Sequence, residues 1–232
     1  MDLLTLMLII IFSYESHQGY FSKLGLYWKN MQFDFYLKWF ALLAVSITGS
    51  FFLDAPLLKS IQQIHSPFLE VISKFGGQLG GGQTPWLLIA GCYVLAILSR
   101  SKNWRRRVFS AFLSVVLTGN ACVILKRTIL RARPETLQGT FSFFNPGGFF
   151  HAPFQSFPSL DVIMVAGAAG FLFYAVRNRF LRLFLLALPF TTALSRISKN
   201  VHWPSDALFS IGLGFLIGLF VWRYQKYSED NP

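Results

Sequence analysis

Hydrophobic residues gather into long blocks along the chain, and most charged residues fall between the blocks. Blocks at residues 36–53, 85–99, 108–125, 160–176, 183–194 and 207–222 approach the roughly 20 apolar residues that a helix needs to cross the hydrocarbon core of a bilayer. The pattern predicts an all-α polytopic membrane bundle of six transmembrane helices. An earlier apolar run, residues 3–12, is too short to span and reads as a signal or interfacial helix. The organisation expected is an N-terminal interfacial segment over 1–35, a membrane domain over 36–222 and a polar tail over 223–232. Residues 54–74 are mixed in character and suggest an amphipathic surface helix, and GGQLGGGQ at 76–83 reads as a flexible loop. That glycine run has no lysine followed by Ser or Thr, so it does not make a nucleotide-binding P-loop.

Composition supports the membrane reading: 53% of residues are hydrophobic, 13% are charged, and mean hydropathy is +0.48. The net charge of +11 fits nucleic acid, anionic lipid or topology-setting loops. Placement favours the last two over nucleic acid. RSKNWRRR (100–107), RNRFLR (177–182) and RYQK (223–226) all fall on one side if the first span starts in the cytoplasm, as the positive-inside rule prefers. Both chain ends then lie in the cytoplasm. Cys92 and Cys122 sit inside apolar blocks and are expected to be packing residues, with no disulfide framework.

Three polar segments remain for the opposite face, and two of them are basic: KRTILRARP (126–134) and SRISKNVHWPSD (195–206). Cations on the wrong side for topology need another reason, and an anionic ligand is the simplest. Lys126 and Arg133, seven residues apart, would share one face of a helix that extended the third span, and together could grip a phosphate. The alternative is a snorkelling helix end. Ser159 stands at the start of the fourth span, where it can cap the helix, bind an anion, or do both. His202 precedes Pro204, a residue suited to the first position of a helix, and Asp206 follows four residues after the histidine. A carboxylate there can reach one imidazole N–H and leave the other nitrogen free to attack.

The three segments resemble the signature of the type 2 phosphatidic acid phosphatase (PAP2) superfamily. K-x6-R-P matches Lys126 to Pro134, and S-R-x5-H-x3-D matches Ser195 to Asp206, in residue and spacing. The resemblance implies a six-helix membrane enzyme in which His202 attacks phosphorus, Asp206 orients it, and Lys126, Arg133, Ser159 and Arg196 hold the phosphate oxygens. It implies no metal and no organic cofactor. The family's second motif, P-S-G-H, is matched only in part, because Leu160 and Asp161 stand where it has Gly-His. The histidine that would protonate the leaving group is therefore absent. Asp161 is the first candidate to replace it, with His151 or Lys199 as alternatives, and a slow or inactive protein as a third reading.

The function expected is hydrolysis of a lipid-borne phosphate at the outer face of a bacterial-type inner membrane. Isoprenyl diphosphate, phosphatidylglycerol phosphate, phosphatidic acid and lipid A phosphate are all candidates, with the surrounding membrane lipids as the other partners. Phosphotransfer between lipids is an alternative enzyme reading. A silent lipid-binding protein or transporter is the alternative from another class, although a transporter should carry polar residues at mid-membrane.

Overall fold

The computed structural model describes residues 3–64, 66–81, 84–145 and 148–231. Among these the regular elements are all helical: α1 (Leu3–His17), α2 (Leu24–Asn30), α3 (Phe33–Ser50), α4 (Asp54–Gln63), α5 (Pro67–Gly80), α6 (Thr84–Leu98), α7 (Lys102–Ile129), α8 (Leu160–Ala175), α9 (Arg179–Ser198) and α10 (Pro204–Asp230). Four stretches are long and apolar enough to cross a membrane: Phe33–Gln63, Lys102–Thr136, Arg179–Ser198 and Pro204–Asp230. α5 and α6, bent by 66°, make a fifth if taken as one broken span. The six apolar blocks thus fall on α3, α6, α7, α8, α9 and α10. Large apolar side chains such as Val45, Leu98, Phe180 and Leu183 face outward, as hydrocarbon surroundings require of an integral membrane protein.

α8 has 16 residues, about 24 Å of helix, and falls short of the roughly 30 Å hydrocarbon thickness. It occupies the middle of the bundle, packed against α7, α9 and α10. Small residues let α8 and α10 approach closely. A Cβ on Gly214 would lie 2.5 Å from Ala166 Cβ, and one on Gly218 would lie 2.5 Å from the Phe171 backbone nitrogen. Inside a bilayer, where lipid tails are as apolar as the helices, such close packing holds helices together.

The chain departs from two sequence expectations. Residues 54–74 do not form one surface helix: the chain makes α4 and α5, and Asp54 is fully buried. The glycine run is not a loop through Gly80, because Gly76, Gly77 and Gly80 belong to α5. A Cβ on Gly76 would sit 2.1 Å from the Thr191 carbonyl oxygen of α9. Glycine serves close helix approach at that point. The end of the run, Gly82 and Gln83, lies outside the described residues. Of the cysteines, Cys122 is buried as a packing residue, whereas Cys92 is exposed.

The N-terminal segment is tied to the base of the bundle. Buried Glu15 accepts hydrogen bonds from Tyr93 (2.7 Å) and from Arg105 Nε (2.6 Å). The Tyr20 hydroxyl meets Ser110 Oγ at 2.7 Å, and Tyr224 donates to the Tyr20 carbonyl at 2.5 Å.

Candidate active site

The C-terminal end of α7, the loop entering α8 and the α9–α10 connection meet at one end of the bundle. α7 stops at Ile129 because Leu130 turns into the left-handed region (φ 48°, ψ 49°). Arg133 is extended ahead of Pro134, whose ring disfavours helical backbone in the residue before it. Lys126 and Arg133 therefore do not share a helix face, contrary to the expectation from their spacing. Lys126, mostly buried in the last turn, donates to the Gln155 carbonyl. The Arg133 guanidinium lies 3.4 Å from Glu135.

The turn at Leu130 sends Arg131, a residue the sequence reading passed over, into the core. Its side chain is fully buried, donating through Nη1 to Asp206 Oδ1 (2.5 Å) and Ser205 Oγ (2.7 Å), and through Nη2 to Asp54 Oδ2 (2.6 Å). Nε and Nη2 also donate to the Thr140 carbonyl. Phe51, Phe143 and Trp203 stack around the guanidinium. Asp54 accepts in addition from the backbone nitrogen (2.7 Å) and hydroxyl (2.6 Å) of Ser205. One cation thus bridges two buried carboxylates, with every charged end hydrogen-bonded, as burial of ions demands. The sequence held a faint signal for this: Asp54 is the one acidic residue between Asp34 and Glu70, and it closes an apolar block.

His202 is buried, and its Nδ1 lies 2.7 Å from the Ser156 carbonyl oxygen. A carbonyl can only accept, so Nδ1 carries the proton and Nε2 keeps its lone pair. Asp206 Oδ2 is 3.7 Å from Nδ1, too far for a hydrogen bond. The direct histidine–aspartate bond expected from the four-residue spacing is replaced by an indirect one. Asp206 Oδ2 accepts from Ser156 Oγ (2.5 Å) and from the Trp203 backbone nitrogen (3.0 Å), so it fixes the backbone on either side of the imidazole.

Burial pushes the His202 imidazole below its ordinary range; Asp206 opposes the shift, and the Lys126 and Arg133 charges add to it. The neutral ring therefore persists to lower pH than in a free histidine. Between the folded value and the ordinary one of about 6.5, the unfolded chain binds more protons, so acidification through that window lowers stability. A histidine NMR titration in detergent is expected to give a resonance, absent in His202→Asn, with a midpoint below about 6.5. A midpoint above that value contradicts the buried, cation-flanked setting.

Ser159 occupies the N-cap position of α8 without making a side-chain cap bond. Its backbone nitrogen donates to Ser210 Oγ (2.9 Å), while its own fully buried Oγ has no partner among the described residues. Asp161, in the first turn of α8, pairs with Arg196 Nε at 3.0 Å. Arg196 also reaches the Gly77 carbonyl at 3.4 Å, which brings α5 to the edge of the site. His151 is exposed in the α7–α8 loop, and Lys199 is exposed at the C-cap of α9. Ser159 Oγ, Ser195 Oγ and Arg133 Nε are buried with no hydrogen-bond partner among the described residues, whereas Arg196 Nε faces the Asp161 carboxylate. Unsatisfied buried polar groups are rare in native proteins, and these three lie in the segments that meet at this end of the bundle.

Residues 107–230 match the family model described as PAP2 superfamily. The chain is 29% identical over 198 residues to a lipid A 1-phosphatase of Rhizobium etli, covering 77% of this chain and 81% of that protein. It is 29% identical over 150 residues to the decaprenylphosphoryl-5-phosphoribose phosphatase of Mycobacterium tuberculosis, covering 65% and 75%. Among solved structures, the fold is similar to a transmembrane PAP2-type phosphatidylglycerolphosphate phosphatase from Bacillus subtilis. That likeness has a TM-score of 0.59 at 15% identity and covers 85% of this chain and 97% of the other.

Proposed function

This chain belongs to the PAP2 superfamily, and from that premise we infer that it is a membrane lipid-phosphate phosphatase working through a phosphohistidine. His202 Nε2 attacks phosphorus, forming a P–N bond as the bond from phosphorus to the leaving oxygen breaks. Asp161 delivers a proton to that oxygen, and water then cleaves the P–N bond to release inorganic phosphate. Lys126, Arg133, Ser159 and Arg196 hold the non-bridging oxygens, where charge builds in phosphoryl transfer. Asp206 works through Ser156 and the Trp203 backbone to hold the ring.

The observation that carries this reading is a buried histidine whose Nδ1 is tied to the Ser156 carbonyl, with Lys126 and Arg133 acting on the ring and unpartnered Arg133 Nε and Ser159 Oγ in the segments that meet there. An incoming phosphate also competes for Arg196, which Asp161 now holds at 3.0 Å. The substrate is a phosphate on a large amphiphile: lipid A phosphate, isoprenyl diphosphate, phosphatidylglycerol phosphate or phosphatidic acid. Six spans, a site on the outer face and cytoplasmic termini accord with the basic loops at the other end of the bundle.

Purified protein incubated with this lipid panel is expected to release inorganic phosphate. Asp161→Asn is expected to slow hydrolysis of alkyl phosphates about 10²-fold or more, and of p-nitrophenyl phosphate much less, because an acidic phenol leaves without protonation. Equal slowing of both substrates rejects Asp161 as the acid. Absence of phosphate release from every lipid in the panel rejects the function.

A further inference from the structure

A second basic cluster lies far from the first. Lys102 and Lys126 are 24 residues apart on α7, about 36 Å of helix, more than the roughly 30 Å of a hydrocarbon core. At the Lys102 end, the α1–α2 turn, the start of α7 and the end of α10 enclose a cavity of about 500 Å³. Lys23, Lys102, Arg106 and Arg107 line it, against one carboxylate, Glu229, which accepts a 2.7 Å hydrogen bond from Gln225. None of the four cations makes an ion pair among the described residues. The first turn of the 28-residue α7 adds Asn103 to the wall, with free backbone N–H groups and the positive end of the helix dipole.

Topology alone explains basic loops at this end, but it does not call for four unpaired cations around one cavity. Two further features identify the occupant. Trp104, which follows the lining residue Asn103 on α7, is exposed, as suits headgroup depth, where tryptophan concentrates. Arg107 also lines a separate apolar cleft of about 420 Å³ between α6–α7 and α8–α9, walled by Leu88, Ile89, Val165, Ala168 and Leu172. A phosphate seated among the cations thus has an apolar channel beside it.

The structure assigns this cavity as a binding site for an anionic phospholipid of the leaflet opposite the candidate active site. The phosphate headgroup lies among Lys23, Lys102, Arg106 and Arg107, and one acyl chain enters the cleft past Arg107. The assignment does not depend on the proposed catalytic reaction.

Native mass spectrometry and thermal unfolding of the detergent-purified full chain test it. Dioleoylphosphatidylglycerol is expected to give a 1:1 adduct and to raise the unfolding midpoint, whereas dioleoylphosphatidylcholine and inorganic phosphate at the same concentration do neither. Arg106→Gln with Arg107→Gln is expected to weaken adduct formation about 25-fold, roughly fivefold per charge removed. Arg177→Gln with Arg179→Gln, a charge-matched change in the neighbouring loop, leaves binding intact. If the Arg106 and Arg107 pair does not yield folded protein, Lys23→Gln with Lys102→Gln makes the same cut from two other places. Equal stabilisation by inorganic phosphate overturns the lipid assignment in favour of a free-anion site. Equal weakening by the Arg177 and Arg179 pair reduces the effect to surface charge and overturns the site.

Discussion

His202→Ala is expected to reduce lipid-phosphate hydrolysis by a factor on the order of 10⁴ or more, as removal of a nucleophile does elsewhere. The expectation rests on the Ser156 carbonyl, which holds the proton on Nδ1 and so leaves Nε2 unprotonated. Loss of the ring also leaves a small void in the core, so activity alone is an ambiguous readout. Phosphate binding separates the two effects. Lys126, Arg133, Ser159 and Arg196 remain in the alanine variant, so vanadate or phosphate should still protect it against thermal unfolding. Acid-labile phosphate, trapped on the wild-type chain by rapid denaturation, should be missing from the variant. Full turnover by His202→Ala excludes a phosphohistidine at this position.

Much of this site could be read from the sequence because its parts are local. His202, Pro204 and Asp206 lie within five residues, and the helix that starts at Pro204 does bring the carboxylate up beside the ring. The apolar blocks likewise announce their helices, since a membrane leaves few other structures for such segments. What escaped the sequence depends on partners far along the chain. Arg131 looks like one more cation in KRTILRARP until Asp54, 77 positions earlier, and Asp206, 75 positions later, are placed around it. Ser156 matters partly through its backbone carbonyl, which no side-chain pattern reveals. The helical glycines of α5 read as a loop because glycine has weak intrinsic helix propensity. Tertiary packing overrides that preference where α9 comes within a backbone's reach of Gly76.

Arg131→Met is expected to be the most destabilising single change in the site, by about 3–5 kcal/mol. The methionine keeps much of the volume and the apolar contact with Phe51 and Trp203, but it leaves Asp54 and Asp206, both fully buried, without their shared cation. An orphaned buried charge costs far more than the pair itself contributes, because the carboxylate loses its partner without regaining water. Removing one of the two orphans should therefore restore part of the stability: Arg131→Met combined with Asp54→Leu is expected to unfold at a higher temperature than Arg131→Met alone. Activity should not return with it. In the double variant Asp206 still lacks Nη1 of Arg131, so its hold on Ser156 and the Trp203 backbone is weakened and the imidazole is less well placed. Lys126, Arg133, Ser159 and Arg196 are untouched, so kcat should fall while KM stays close to that of the parent. A double variant that recovers both stability and kcat shows that Arg131 serves the fold alone. A rise in KM with kcat unchanged assigns it to phosphate binding instead of to positioning His202.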